Sequence, residues 1–77
     1  MKKTFSYKVK RKIAVVSETG SMTLEVNLIS YCGAPAKYDL RRWRTTDTGR
    51  EMQKGLTMTT EELCSLRDVL NSMDLDP

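Results

Sequence analysis

The alternation of apolar and polar residues in residues 22–31, MTLEVNLISY, constrains the fold of this chain most strongly. Successive side chains of a β-strand point to opposite faces, so a period of two predicts a strand with one face toward a core. The aliphatic set is expected to face inward and the mixed set outward: Leu24, Val26 and Leu28, against Glu25, Asn27, Ile29 and Tyr31.

Three further segments have strand character. Residues 5–17 join the alternating FSYKV, preceded by Thr4, to a basic KRK and an apolar IAVVS, as one long bent strand or as two pieces. The third and fourth strands are predicted at residues 37–44, KYDLRRWR, and at residues 52–58, MQKGLTM. Turn-forming residues separate these segments, in ETGS, CGAPA and TTDTGRE.

A C-terminal helix is predicted after Thr59. Thr59 and Glu62 have the spacing of a capping box, in which each residue's side chain binds the other's backbone N–H. One apolar stripe follows at helical spacing, formed by Leu63, Leu66, Leu70 and Met73. The stripe either covers the inner face of the sheet or forms a seam between the helices of two protomers. The predicted fold is therefore α+β, with four strands followed by one helix.

The chain has 77 residues, so we expect a single domain spanning residues 1–77. A chain of this length buries only about 60% of its unfolded surface, which favours self-association. Cys32 and Cys64 are expected to be free thiols in a cytoplasmic protein. The basic N-terminus precedes no apolar run, so neither a signal peptide nor a membrane span is predicted. No metal site is expected, because the chain lacks histidine and paired cysteines.

The composition also argues against an enzyme. Without histidine, the chain cannot form the common nucleophile–histidine pairs, and its four glycines stand singly rather than in a phosphate-binding loop. We therefore predict no catalytic residue and no cofactor.

Charge is distributed unevenly: residues 1–56 carry a net +7 and residues 57–77 a net −4. This asymmetry favours a polyanionic partner for the basic part.

The third strand combines cations with the single tryptophan. Lys37, Arg41 and Trp43 share one face of this strand. Single-stranded nucleic acid requires cations for its phosphates and flat rings for its unstacked bases, and this face offers both. Tyr31 ends the second strand and adds a second ring if the two strands pair. We therefore expect an indole open to solvent. In the alternative interpretation, the tryptophan belongs to the core and Asp39 neutralises the neighbouring cations.

The order of three motifs resembles the transcriptional coactivator family of positive cofactor four, and is most similar to its bacterial YdbC-type branch. The motifs are Asp39-Leu40-Arg41, the nearby Trp43, and the strand Lys54-Gly55-Leu56-Thr57-Met58 leading into the helix. The resemblance spans about Lys12 to Met73. It implies an antiparallel four-stranded sheet with one helix, working as a homodimer that binds single-stranded DNA with little sequence preference.

The resemblance also implies roles for particular residues. Arg41 and Lys54 correspond to phosphate-contacting positions, and Trp43 corresponds to the stacking aromatic residue. From charge and strand parity we add Lys10, Lys12 and Lys37 to this nucleic-acid-binding set. Lys54 shares the parity of inward-facing residues, so either a bulge at Gly55 redirects it or its stem is structural.

Two other functions compatible with the sequence are the binding of single-stranded RNA and a dimeric protein–protein interaction module with a basic face. No feature of the chain distinguishes ribose from deoxyribose. The transcription machinery is a candidate partner through the resemblance. The sequence does not choose among transcription, repair and strand protection.

Overall fold

The structure is a computed structural model that describes residues 6–75; the predicted start of the first strand, Phe5, lies outside these residues. The elements in chain order are β1 (Tyr7–Thr19), β2 (Met22–Tyr31), β3 (Lys37–Thr46), β4 (Gly49–Met58) and α1 (Thr60–Ser72). The strands form one sheet in the order β1-β2-β3-β4, and each neighbouring pair is antiparallel. The prediction of an α+β fold, with a four-stranded antiparallel sheet and one C-terminal helix, is confirmed.

Local sequence signals set the ends of several elements. The predicted turn between β1 and β2 is present, and Gly20 has the positive φ of 61° that tight turns require. The capping box is also present: the Thr59 amide donates to Glu62 Oε1 at 2.8 Å, and the Glu62 amide donates to Thr59 Oγ1 at 3.1 Å. These two bonds fix the start of α1 directly after β4.

The first strand is continuous but irregular. Residues 7–19 pair with β2 along their length, and the register shifts at three places, between Val9 and Arg11, Lys12 and Ala14, and Val15 and Ser17. The structure therefore favours one bent strand over two separate pieces. Each shift adds an unpaired residue to β1, which increases the local twist of the sheet.

Residues directly opposite each other in neighbouring strands share a face of the sheet. The aromatic face carries Glu25, Asn27, Ile29 and Tyr31 of β2 and Lys37, Asp39, Arg41 and Trp43 of β3. The aliphatic face carries the intervening residues, including Leu24, Val26 and Leu28 of β2, Leu40 of β3 and Leu56 of β4. The division of β2 and β3 into these two sets agrees with the sequence-based prediction.

The burial of the two faces was predicted wrongly. Glu25, Asn27 and Ile29 of the aromatic face are buried, whereas Leu24, Val26 and Leu28 of the aliphatic face are only partly buried. The aliphatic face is only partly covered, and α1 contributes no buried residue. The main core of the single chain is therefore on the polar side of the sheet, where ion pairs and hydrogen bonds accompany the apolar contacts.

Within residues 6–75, no helix has the length and apolar character needed to cross a membrane.

Candidate nucleic-acid interface

Three aromatic rings lie together on the aromatic face. The Tyr7 ring of β1 lies 5.7 Å from the Trp43 ring and 6.4 Å from the Tyr31 ring, centroid to centroid, and it is tilted to both. These distances are typical of aromatic pairs in contact. Tyr7 itself is 39% exposed, so its ring forms part of the surface.

Trp43 was expected to be open to solvent, and this expectation is wrong for the chain as it stands. The residue is only 2% exposed. Its cover comes from the aromatic face and not from the helix: the guanidinium carbon of Arg50 lies 4.4 Å from the centre of the indole, and Tyr7 packs beside it. The indole Nε1–H is buried and has no hydrogen-bond acceptor among the described residues. An unpaired buried donor is costly, so this atom indicates either stored strain or a missing acceptor.

Arg41 is held within the fold by an extensive set of contacts. Its Nε and one terminal nitrogen donate to the two oxygens of Asp39, both at 2.7 Å, and its other terminal nitrogen donates to the Gln53 carbonyl at 3.0 Å. The Asp39 side chain is fully buried and that of Arg41 is 14% exposed. The hydrogen bond to Asp39 raises the pKa of Arg41 despite partial burial. Arg41 therefore serves first to neutralise Asp39.

Tyr31 completes the same network. Its hydroxyl donates to Asp39 Oδ2 at 2.6 Å, and the Arg41 guanidinium lies 5.8 Å from the centre of its ring. Burial, together with the bond to the Asp39 carboxylate, raises the pKa of the Tyr31 hydroxyl. The tyrosine therefore remains a protonated donor, and Asp39 accepts three hydrogen bonds from two side chains.

The second arginine–carboxylate pair of the face, Glu25 with Arg50, is looser. A single bond joins them, from an Arg50 terminal nitrogen to Glu25 Oε1 at 2.9 Å, and the Arg50 side chain is 35% exposed. Glu25 has two further donors, Thr23 at 2.6 Å and Asn27 at 3.2 Å. Burial of Glu25 opposes its ionisation, but the bonds from Thr23, Arg50 and Asn27 outweigh it and lower the pKa of the carboxyl group.

A cleft of about 230 Å³ opens beside this pair, between β1 and the Trp43 ring. Its walls are aromatic, cationic and polar, and are formed by Tyr7, Val9, Lys12, Asn27, Trp43 and Arg50. Lys12 and Arg50 also line an adjoining hollow that extends toward Glu25 and Val15. The cleft therefore brings the exposed Tyr7 ring and two cations, Lys12 and Arg50, next to the buried indole.

The remaining predicted cations are exposed but separated. Lys10 lies in a register shift of β1 and lines an open hollow near Cys32, and Lys37 lies at the start of β3. Lys54 lies in an irregular part of β4, where Gln53 and Lys54 together face Arg42, so the bulge expected next to Gly55 is present. Of the predicted residues, the structure brings Lys12 to the cleft with Trp43, and it places Tyr31 and Arg41 in the adjoining polar network.

Sequence analysis missed the residues that cover Trp43. Arg50 falls in a segment predicted to be a polar loop, and Glu25 was assigned to a solvated face. Only the pairing register of three strands brings Glu25, Arg50 and Trp43 together. Tyr7 had a recognisable signal, because it belongs to the alternating TFSYKV segment and precedes the basic run.

Comparison with known proteins gives one informative relative. A protein from Treponema pallidum (strain Nichols), described as an uncharacterized protein, is 45% identical over 74 residues, which cover 95% of this chain and 85% of the relative. The chain belongs to the same family as this treponemal protein. No protein-family model matches the sequence. Membership of this family supplies no function, so the functional argument depends on the site itself.

Proposed function

We propose that the chain binds single-stranded nucleic acid, with DNA favoured, without sequence preference and as a homodimer. The observation that carries this proposal is the cleft at Trp43, which two aromatic rings and two cations line, together with a buried indole N–H that has no acceptor among the described residues. Unstacked bases supply both a π-face and acceptor atoms, and their phosphates supply the negative charge. Each base stacked on an aromatic side chain contributes about 1–3 kcal/mol irrespective of base identity.

The charge balance of the aromatic face supports this proposal. Asp39 and Glu25 are the buried carboxylates of this face, and each has an arginine as partner. Lys12 and Lys37 are exposed on that side, and no carboxylate among residues 6–75 forms an ion pair with either of them. Lys10 adds an exposed cation in a register shift of β1, whereas Lys8 and Arg11 pair with Ser30 and Leu28 and therefore share the aliphatic face. A phosphate backbone crossing β1 at Lys10 and Lys12 would meet positive side chains, and the exposed acid of β1, Glu18, lies toward the far end of the strand.

The homodimer is part of the proposal because the single chain leaves too much surface uncovered. Its accessible surface is 6271 Å², whereas a compact monomer of its mass, 8.8 kDa, exposes about 4,800 Å². Its radius of gyration is 14.4 Å, against about 11–12 Å for a compact domain of this length. The excess of about 1,500 Å² exceeds the roughly 800 Å² that each partner buries in a standard interface.

Exposed apolar side chains on the helix and on the aliphatic face provide a surface that a second copy could bury. The helix has half-exposed apolar residues, and Leu56 on the aliphatic face is 52% exposed. The exposed apolar residues are Val69 and Leu70 in α1, and Met73 and Leu75 directly after it. A second copy that packs its helix and aliphatic face against these residues would leave both aromatic faces for nucleic acid. A homodimer is also what the resemblance to the positive cofactor four family implies.

Titration with oligo-dT tests the function. We expect binding that weakens with salt, with a slope of about 0.7 per neutralised phosphate. Sedimentation of the free protein tests the dimer separately. Absence of oligo-dT binding at low salt would contradict the proposed function, and sedimentation as a monomer at micromolar concentration would contradict the dimer.

Two further titrations separate the neighbouring functions. Matched RNA and DNA oligomers distinguish the sugars, because nothing in the cleft chemistry selects a 2′-hydroxyl group. Tighter binding of RNA would reassign the substrate class. Binding to an acidic peptide together with failure to bind either oligomer would instead identify a protein–protein interaction module. The proposal retains a cytoplasmic location, where the unpaired thiols of Cys32 and Cys64 stay reduced.

A further inference from the structure

The two arginine–carboxylate pairs of the aromatic face differ in how firmly they are held. Arg41 donates three hydrogen bonds to two partners and its side chain is 14% exposed. Arg50 makes one such bond to a carboxylate and its side chain is 35% exposed. Rotation of Arg50 away from the sheet therefore breaks one charged hydrogen bond, whereas rotation of Arg41 breaks three.

Glu25 is arranged to tolerate the departure of Arg50. Its Oε2 accepts from Thr23 at 2.6 Å and its Oε1 accepts from Asn27 at 3.2 Å. These neutral donors remain when Arg50 leaves, so the buried carboxylate keeps a hydrogen bond to each oxygen. A buried carboxylate with no remaining donor would be strongly destabilising, and this arrangement avoids that cost.

Arg50 also occupies the position that a base would need. Its guanidinium lies over the Trp43 ring, 4.4 Å from its centre, in a cation–π contact that covers the face on which a base would stack. While it remains there, the indole is only 2% exposed and its N–H has no acceptor among residues 6–75. The closed arrangement therefore blocks the ring that the proposed function requires.

We propose that Arg50 is a phosphate-binding residue. Glu25 holds Arg50 over Trp43 until a phosphodiester backbone binds Arg50 and draws it away from the indole. The phosphate replaces Glu25 as the partner of Arg50, and the movement uncovers the indole for a base. This inference depends on the proposed function and extends it, because it couples phosphate binding to base stacking at one site. A ligand that lacks phosphates leaves Arg50 in place and finds Trp43 closed.

Acrylamide quenching of the single tryptophan measures this movement directly. In the free protein we expect Trp43 to be shielded. An abasic oligodeoxynucleotide, which has phosphates but no bases, should increase quenching, because Arg50 leaves and no base takes its place. Oligo-dT should bind but keep Trp43 shielded and shift its emission, because a base covers the ring.

Two variants test the residues separately. Arg50→Ala should raise quenching in the free protein and reduce the salt slope of oligo-dT binding by about 0.7, the loss of one phosphate contact. Glu25→Gln should tighten oligo-dT binding by about tenfold, because the phosphate no longer displaces a charged hydrogen bond. The matched controls are Arg67→Ala and Asp68→Asn, an exposed pair on α1 whose replacement should change neither quenching nor binding.

The outcomes separate this inference from the proposed function. If the wild-type protein binds neither the abasic strand nor oligo-dT, the proposed function is wrong and the role of Arg50 falls with it. If both strands bind while Trp43 quenching stays unchanged with the abasic strand, the role of Arg50 alone is overturned. Equal oligo-dT affinity in wild type and a folded Glu25→Gln variant also overturns it.

Discussion

Replacement of Asp39 by asparagine tests whether the buried polar network stabilises the sheet. The Asp39 carboxylate accepts three hydrogen bonds, one from Tyr31 and two from Arg41, and its side chain is fully buried. Asparagine has the same shape, but it has one acceptor oxygen and turns an N–H₂ group toward these donors. It also leaves the Arg41 charge, only 14% exposed, without its partner.

Asp39→Asn should remove a large part of the free energy of unfolding of so short a chain. Removal of one partner of a buried ion pair costs about 3–5 kcal/mol. A domain of this length has a total unfolding free energy of about 4–12 kcal/mol. We therefore expect Asp39→Asn to lower the unfolding free energy by about 3 kcal/mol or more, and to leave the domain marginally folded. Urea unfolding at one fixed protein concentration, followed by far-UV circular dichroism and by Trp43 emission, measures this loss.

The control is Asp68→Asn, because Asp68 also pairs with an arginine but both side chains are mostly exposed, at 70% for Asp68 and 64% for Arg67. Exposed pairs contribute at most about 1 kcal/mol, so this variant should unfold close to the wild type. A loss below about 1 kcal/mol in Asp39→Asn would refute the argument that burial makes the first pair structural. It would also return Arg41 to consideration as a free phosphate ligand.

Two further predictions concern the same sheet. Gly55→Ala should lower the free energy of unfolding by about 1–3 kcal/mol through overpacking, because the new Cβ would lie 2.6 Å from the Leu40 carbonyl oxygen and against the Arg41 side chain. Thr57→Ala on the same strand is the control. A Gly55→Ala variant that unfolds at the same urea concentration as the wild type would contradict the prediction. Acidification should also destabilise the fold. The folded state lowers the pKa of Glu25 below its unfolded value of about 4.3, so the ionised Glu25 stabilises the fold. This contribution to the free energy of unfolding is complete above the unfolded pKa and is lost as the pH falls through the folded pKa. As the pH falls through this range, the free energy of unfolding should decrease less steeply in Glu25→Gln than in the wild type. An equal decrease in both proteins would contradict the stabilising role of the Glu25 carboxylate.

The sequence predicted those parts of the fold that depend on neighbouring residues. The capping box at Thr59, the turn at Gly20 and the bounds of β2 all follow from signals within a few residues of each other. Alternation also assigned correctly which residues of β2 and β3 share a face. Each of these features is local, so a single segment contains the information for it.

The same reasoning failed where distant segments decide the outcome. Alternation shows which side chains share a face, but it does not show which face becomes covered. That depends on where β1 and β4 bring Tyr7 and Arg50, and these residues lie 36 and 7 positions from Trp43 in the chain. The predicted site residues of β3 therefore share one face, and the buried Trp43 and the Asp39–Arg41 pair agree with the alternative interpretation. The cover that Arg50 gives to Trp43 was missed.

The irregular register of β1 has a consequence for the behaviour of the protein at high concentration. β1 is an outer strand, and an outer strand with a straight row of unpaired amides can add strands from other molecules and grow into fibrils. Three interruptions within thirteen residues, next to the basic run from Lys8 to Lys12, break that row and repel an incoming copy. The irregular strand that forms one wall of the cleft at Trp43 thus also disfavours edge-to-edge aggregation of the sheet.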